Sequence, residues 1–389
     1  MNSPTSSLAM SAVGLVSLAV GMGIGRFAFT PLLPMMQADG LATIADGGNL
    51  AFAHFLGYLL GAAASVRLPP LPGRMLPVSL LVIAAATLGM GLTESLPLWL
   101  ALRWLAGVCS AFTLMIVSNV VMKQLAEAGE AGRQGWVFSG VGAGIMLAGL
   151  GALALMAGGS GSAAGWQLFG LAAFFGMALV WVLMRRVPQA APAAAPKGGT
   201  VARAPLAWPL VIAYGAAGLG YIIPATYLPV MAREIIHSPL VFGWSWPVFG
   251  LAAFLSTLVA GRLYALGTNR QVWAGCQLVL AAGLLLPVIA GHIAAIMLAG
   301  ICVGGTFVVI TLVGIKEMHR IAPPGDVQRH IAAITASFAA GQMVGPLFAA
   351  WAYEATGSFS APLLIASVAL AATAAPLLAK TPKTELLQA

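Results

Sequence analysis

The stretch LAMSAVGLVSLAVGMGIGRFAFTPLLPMM, residues 8–36, carries a single charged side chain, Arg26. About 20 consecutive apolar residues suffice for a helix to cross a lipid bilayer. Working outward from this run, the same signature recurs along the chain. Spans are predicted at 8–36, 47–67, 74–93, 97–123, 133–157, 164–186, 207–232, 240–264, 271–291, 293–317, 328–355 and 360–380. The breaks between them are chemically distinct. Residues 39–48 are polar and Gly-rich, Arg67 to Arg74 holds three prolines, and Gly158 to Ser162 is a short flexible loop. The expected fold class is an all-α integral membrane protein with about twelve transmembrane helices.

Composition agrees. Hydrophobic residues make up 60% of the 389, charged residues 7%, and mean hydropathy is +0.96. Ordinary soluble domains are roughly 25% charged, so a soluble enzyme, a disordered chain and a DNA-binding domain are excluded. The net charge of +8 is read as basic loops facing anionic lipid and the cytoplasm, with no nucleic-acid partner. Cys109, Cys276 and Cys302 lie inside apolar runs at spacings that suit neither a disulfide framework nor zinc. The first run lacks a basic n-region and is read as a retained span rather than a signal peptide. Long runs without alternation exclude an outer-membrane barrel.

One segment stands apart. VPQAAPAAAPKGGTVARAP, residues 187–205, is rich in Ala, Pro and Gly and reads as a linker. The expected organisation is a six-helix bundle over 1–186, a cytoplasmic linker over 187–206 and a second six-helix bundle over 207–389. Basic loop positions recur at nearly one offset: Arg67 with Arg262, Lys123 with Lys316, and Arg133 with Arg329. This suggests an internal duplication, although topology rules alone place basic residues at equivalent loops. With a cytoplasmic N-terminus, the inner side holds Arg67, Arg74, Lys123, Arg133, Arg185, Arg186, Lys197, Arg203, Arg262, Arg270, Lys316, Arg320, Arg329, Lys380 and Lys383, and the outer side only Arg233. Both termini are therefore expected inside a bacterial inner membrane.

Catalytic and nucleotide motifs are missing: no G-x-x-x-x-G-K-[ST], no H-E-x-x-H and no G-x-S-x-G. No enzyme activity, cofactor or metal is expected. Gly21, Gly23 and Gly25 lie within a span, where they allow close helix approach or a bend. The informative residues are polar groups inside apolar runs, which are costly there and face a cavity or a partner. Arg26 lies about 27 Å along its helix from Leu8. Its guanidinium fork suits a carboxylate or phosphate; the alternative is a structural arginine that ties helix ends or snorkels outward. Arg103 reads as structural or gating. His54 and Tyr58 share a helix face, and His54 either carries a proton or packs. Tyr214 and Tyr221 share a face of span 7, Asn119 lies toward the inner end of span 4, and Gln342 lies in span 11. Trp244 and Trp246 read as interfacial anchors. None of the ten acids falls in the middle third of a span. A lipophilic cation would want a carboxylate there, so the buried Arg26 points instead to an anion or a neutral solute.

Two six-span halves joined by a linker, with basic inner loops, resemble the major facilitator superfamily along essentially the whole chain. Gly61 to Arg74 occupies the place of the family's loop motif, with prolines where the aspartate stands. Arg103-Trp-Leu-Ala-Gly107 resembles its span-4 motif. Gly140-Val-Gly-Ala-Gly144 sits where antiporters carry a Gly-Pro pair, and no proline follows. Gly21-Met-Gly-Ile-Gly-Arg-Phe-Ala-Phe-Thr-Pro-Leu-Leu-Pro-Met35, with Gly57-Tyr-Leu-Leu-Gly61, is similar to the YbfB/YjiJ-like branch. The resemblance implies a secondary transporter whose spans 1, 4, 7 and 10 line a central cavity with alternating access.

The expected function is movement of a small organic solute, foremost an organic anion such as a carboxylate. The expected binding residues are Arg26, Tyr58, Asn119, Tyr214, Tyr221 and Gln342, with His54 and Arg103 in proton coupling or gating. Expected partners are the solute, protons as a candidate co-substrate, and the lipid bilayer, with a monomer as the unit. The alternative is an exporter of amphipathic neutral compounds, for which the 17 Met and 16 Phe would give adaptable packing. A membrane sensor or membrane enzyme is the reading from a different class; neither a soluble domain nor a catalytic motif supports it.

Overall fold

The computed structural model describes residues 4–67, 73–185, 204–263, 267–323 and 325–379. Twelve long helices carry the fold: α1 Ser7–Ala38, α2 Ile44–Arg67, α3 Met75–Met90, α4 Leu96–Glu127, α5 Gln134–Ala157, α6 Ser162–Met184, α7 Trp208–Ile235, α8 Pro239–Leu263, α9 Asn269–Ile289, α10 Ile293–Ile321, α11 Val327–Thr356 and α12 Ser360–Leu378. Ten are long and apolar enough to cross a membrane. The other two are α2, which carries Asp46, Asn49 and His54, and the 16-residue α3. The observed bounds follow the predicted spans to within a few residues. Most of the expected linker, with Lys197 and Arg203, lies outside the described residues, as do Arg186, Lys380 and Lys383.

The helices sort into two sets with matching neighbours. α2 packs on α4, α3 on α4 and α6, and α1 on α5 and α6. In the second half α8 packs on α10, α9 on α10 and α12, and α7 on α11 and α12. Adding six to each helix number turns the first set of contacts into the second. Across the halves α5 packs on α8, α2 on α11, and α1 on α7. The first two are images of each other, and the third joins a helix to its own counterpart. The α1–α7 contact therefore marks the axis of the internal repeat.

Helix association in a bilayer depends on close packing and small residues, because lipid offers no hydrophobic contrast. On the α5–α8 seam, a Cβ on Gly142 would run into the Phe254 backbone and one on Gly250 into the Met146 backbone. Outward faces carry Phe175, Leu147, Trp351 and Val368, all largely exposed, as expected where the surroundings are acyl chains. α1 begins and α12 ends on one face of the bundle, called the terminal face below; the opposite face is the distal face.

Candidate functional site

The site grows from a break in α1. Ala19–Ile24 is π-helical, residues 25–28 form a turn, and α-helix resumes at Phe29. Gly23 lies so close to Gly144 of α5 that a Cβ would meet backbone. Pro31 lacks an N–H, and the Phe27 carbonyl takes the Thr30 N–H at 3.2 Å instead. Within the loosened turn, two carbonyls find a donor outside the helix. Arg103 of α4 donates from Nη1 to the Gly25 carbonyl at 2.9 Å and from Nη2 to the Arg26 carbonyl at 3.1 Å. Its guanidinium lies 5.0 Å from the centre of the Phe29 ring. α4 is held against α2 by Gly57 and Gly107, where a Cβ would strike the carbonyls of Trp104 and His54 respectively. Arg103 is thus a brace: a packed helix pair presents it to the weak point of α1.

The same turn presents Arg26 inward. Its guanidinium carbon lies 4.8 Å from the centre of the Phe27 ring, 4.7 Å from Phe55, 5.5 Å from Tyr58 and 6.0 Å from Tyr221. Nη2 donates to the Tyr221 hydroxyl, and Nε has no protein partner. Arg26 is 5% exposed. Among the described residues no acid pairs with Arg26 or Arg103. The Tyr221 hydroxyl accepts a second bond from Gln342 Nε2 at 2.7 Å. Its ring is stacked between Phe307, at 5.0 Å, and Phe338, at 5.4 Å. Two buried cations in an apolar interior without an anion form an electrostatically incomplete arrangement. Cation–π contacts compensate part of that cost.

Arg26 and Tyr221 are 195 residues apart, and so are Thr30 and Ala225. The same offset relates Gly23 to Gly218, Gly25 to Gly220, Leu33 to Leu228, Pro34 to Pro229 and Met36 to Met231. Counterparts therefore meet across the axis. Pro229 deprives the Ala225 carbonyl of its helical donor, and Thr30 Oγ1 supplies one at 2.5 Å. Further out, Arg233 donates to the Pro34 carbonyl at 2.8 Å, and the Tyr227 hydroxyl shares its one proton between the carbonyl of Pro346, 3.1 Å away in its own half, and that of Ile44, 3.4 Å away in the other. The Arg26–Tyr221, Thr30–Ala225, Arg233–Pro34 and Tyr227–Ile44 bonds join the halves and lie at or beyond Arg26, on the distal side.

Four of the residues singled out from sequence come together here: Arg26, Tyr58, Tyr221 and Gln342. His54 lies one turn before Tyr58, fully buried and edge-on to Phe55. It faces the Arg103 backbone carbonyl without meeting hydrogen-bond geometry, so both ring nitrogens lack a protein partner. Tyr214 and Asn119 go elsewhere. The Tyr214 hydroxyl donates to the Thr311 carbonyl at 3.0 Å, and its ring packs on Trp273 and Phe338. Asn119 is exposed on the π-helical stretch Val117–Val121, toward the terminal end of α4. Trp246 corrects an expectation. It is fully buried against Phe27 and Phe249 rather than interfacial, while Trp244 is half exposed. Sequence reasoning missed Phe27, Thr30, Phe55, Phe307 and Phe338. The 195-residue offset linking Gly25-Arg26 to Gly220-Tyr221 could have pointed to Thr30. The described residues hold no cluster of His, Cys, Asp and Glu able to bind a metal.

A family model described as the uncharacterised MFS-type transporter YbfB matches residues 18–378. The chain belongs to this YbfB-like family of the major facilitator superfamily. The resemblance read from the opening glycines and Arg26 is thereby established, together with a transporter built to act on a small molecule within a membrane. No curated protein matches the chain. Among solved structures, the crystal structure of a mutant of the nucleoside transporter NupG is similar, with a TM-score of 0.70 at 12% identity over 95% of this chain and 99% of that one. At that identity the likeness concerns the fold alone.

Proposed function

We propose that this transporter moves a small organic monoanion of carboxylate type across the bacterial inner membrane by alternating access, without catalysing a reaction. The observation that carries the reading is Arg26: a buried guanidinium ringed by four aromatic side chains, bonded to one neutral hydroxyl and to no described acid. A carboxylate would supply the missing charge, and the rings would take an apolar body. Tyr58, Tyr221 and Gln342 belong to this site, with Asn119 and Tyr214 placed nearer the terminal side along the route. Arg103 holds the break in α1. His54, unpartnered beside Phe55, is the candidate proton carrier for symport. The basic residues of the terminal face, among them Arg74, Lys123, Arg133, Arg262 and Arg329, support cytoplasmic termini. The bonds tying the halves distally would then close the outer side. One chain carries both halves, which supports a monomer as the working unit. The six-helix bundles are taken as 1–186 and 207–389, with 187–206 as the cytoplasmic linker.

A second reading rests on the same rings. An aromatic site could take a neutral planar or amphipathic solute for export, and the fold neighbour NupG is a nucleoside transporter. Uptake of benzoate and of uridine into proteoliposomes, with Arg26→Gln in parallel, separates the two. Benzoate uptake that falls by tenfold or more in the variant supports the anion reading. Uridine uptake insensitive to the substitution, with no benzoate uptake, refutes it in favour of the neutral one.

A further inference from the structure

Resting on the anion reading of Arg26, we propose that the Arg26–Tyr221 bond is a charge-gated latch. A monocarboxylate entering the site takes the Arg26 N–H groups from Tyr221 and so unties the two halves at the axis that relates them.

The distal bonds differ in what they connect. Thr30, Arg233 and Tyr227 all donate to backbone carbonyls. An anion that took any of these donors would strand a main-chain carbonyl in the apolar interior, a cost that opposes the exchange. Arg26 is different: its acceptor across the axis is a neutral side-chain hydroxyl. A carboxylate is the stronger acceptor for a guanidinium, since both partners are charged and two parallel N–H···O bonds are available. The exchange leaves Tyr221 satisfied, because Gln342 still donates to it at 2.7 Å and its ring stays stacked on Phe307 and Phe338. The latch can therefore open without stranding a polar group.

Position gives the exchange its consequence. Arg26 and Tyr221 occupy counterpart places, flanked by Gly25 and Gly220, and meet where α1 faces α7. A bond on the axis resists the parting of both halves at once. A ligand shifts a conformational equilibrium only by its differential affinity for the two states. That difference arises here because the anion competes with Tyr221 in the tied state and not in the released one.

The charge of the ligand also follows. Arg103 is the second buried cation, and both its Nη groups are committed to the Gly25 and Arg26 carbonyls. Of these two buried guanidiniums, Arg26 is left to meet an anion. A dicarboxylate would place its second charge among Phe27, Phe55 and Tyr58, so a monoanion is selected.

Tyr221→Phe tests the latch, since it keeps the stacked ring and removes only the hydroxyl. Benzoate and phthalate serve as the monoanion and dianion, with affinity measured by calorimetry. Spin labels at Glu94→Cys and Gly291→Cys report distal separation of the halves; both sites are exposed, and Cys109→Ala, Cys276→Ala and Cys302→Ala clear the background. Three results are expected. Benzoate lengthens the label distance in the parent protein. The Tyr221→Phe variant shows the longer distance without ligand and binds benzoate about tenfold tighter, the equivalent of one hydrogen bond no longer broken. Phthalate binds at least tenfold more weakly than benzoate to both proteins. Unchanged or weaker benzoate binding in Tyr221→Phe, with no change in distance, overturns the latch alone, provided that Arg26→Gln still abolishes binding. Benzoate that binds neither parent nor variant overturns the anion reading, and the latch with it.

Discussion

Replacing Arg103 by leucine should damage the fold far more than replacing Arg26 by glutamine, although both remove a buried arginine. Arg103 is 3% exposed and makes two charge-assisted bonds, at 2.9 and 3.1 Å, to carbonyls in the broken turn of α1. Bonds to charged groups contribute about 1.5–3 kcal/mol each in soluble proteins, and side-chain bonds inside membrane proteins average nearer 0.6 kcal/mol. Leucine also leaves both carbonyls without their donor in an apolar interior. A loss of about 3 kcal/mol is expected. Arg26 makes one bond, to Tyr221, and sits over four rings. Against that stands the desolvation of an unpaired guanidinium, several kcal/mol per ion. The two nearly cancel, so Arg26→Gln should shift stability by about 1 kcal/mol or less. Thermal unfolding in detergent, followed by fluorescence-detected size exclusion, gives the comparison directly. The apparent midpoint should fall by several degrees in Arg103→Leu and hardly move in Arg26→Gln. Equal midpoints for the two variants would refute the assignment of Arg103 as the brace and Arg26 as the ligand group.

Three further outcomes are expected. Glu317→Gln should cost about 3–5 kcal/mol in the same unfolding assay, because this fully buried carboxylate accepts from Arg270 at 2.6 Å, Arg320 at 2.6 and 2.9 Å, and Asn269 at 3.2 Å. Gly107→Ala should force α2 and α4 apart at the His54 carbonyl, lowering stability by about 1–3 kcal/mol and benzoate affinity with it, whereas Gly305→Ala, whose Cβ meets nothing, should leave both unchanged. Thr30→Val removes the donor to the Ala225 carbonyl and should lengthen the distance between labels at positions 94 and 291 without altering the charge preference of the site.

Much of the fold was legible because membrane spans are local objects. A bilayer demands about 20 apolar residues per crossing, and Gly, Pro and charge punctuate the ends, so twelve spans could be marked without knowing any contact. The buried polar residues were legible for a related reason. Arg26, His54 and Gln342 are conspicuous in apolar runs because burying them is costly. Their roles were less so. Arg26 and Arg103 look alike in sequence, and Tyr214 and Tyr221 share one helix face, yet Tyr214 turns to Thr311 while Tyr221 reaches Arg26. Trp246 carried the signature of an interfacial anchor and is packed inside instead.

The sequence by itself determined the membrane class, the number and placement of the helices, the two-half plan and the short roster of polar residues that a buried site must draw upon. All of these depend on the hydropathy of neighbours along the chain. Only the tertiary structure decided which arginine braces α1, and that Arg26 meets its counterpart Tyr221 inside a ring of aromatics from α1, α2 and α7. Those contacts join residues up to 195 positions apart, and they depend on how closely glycines let particular helices approach. Hydropathy says that a side chain is buried; it does not say beside what.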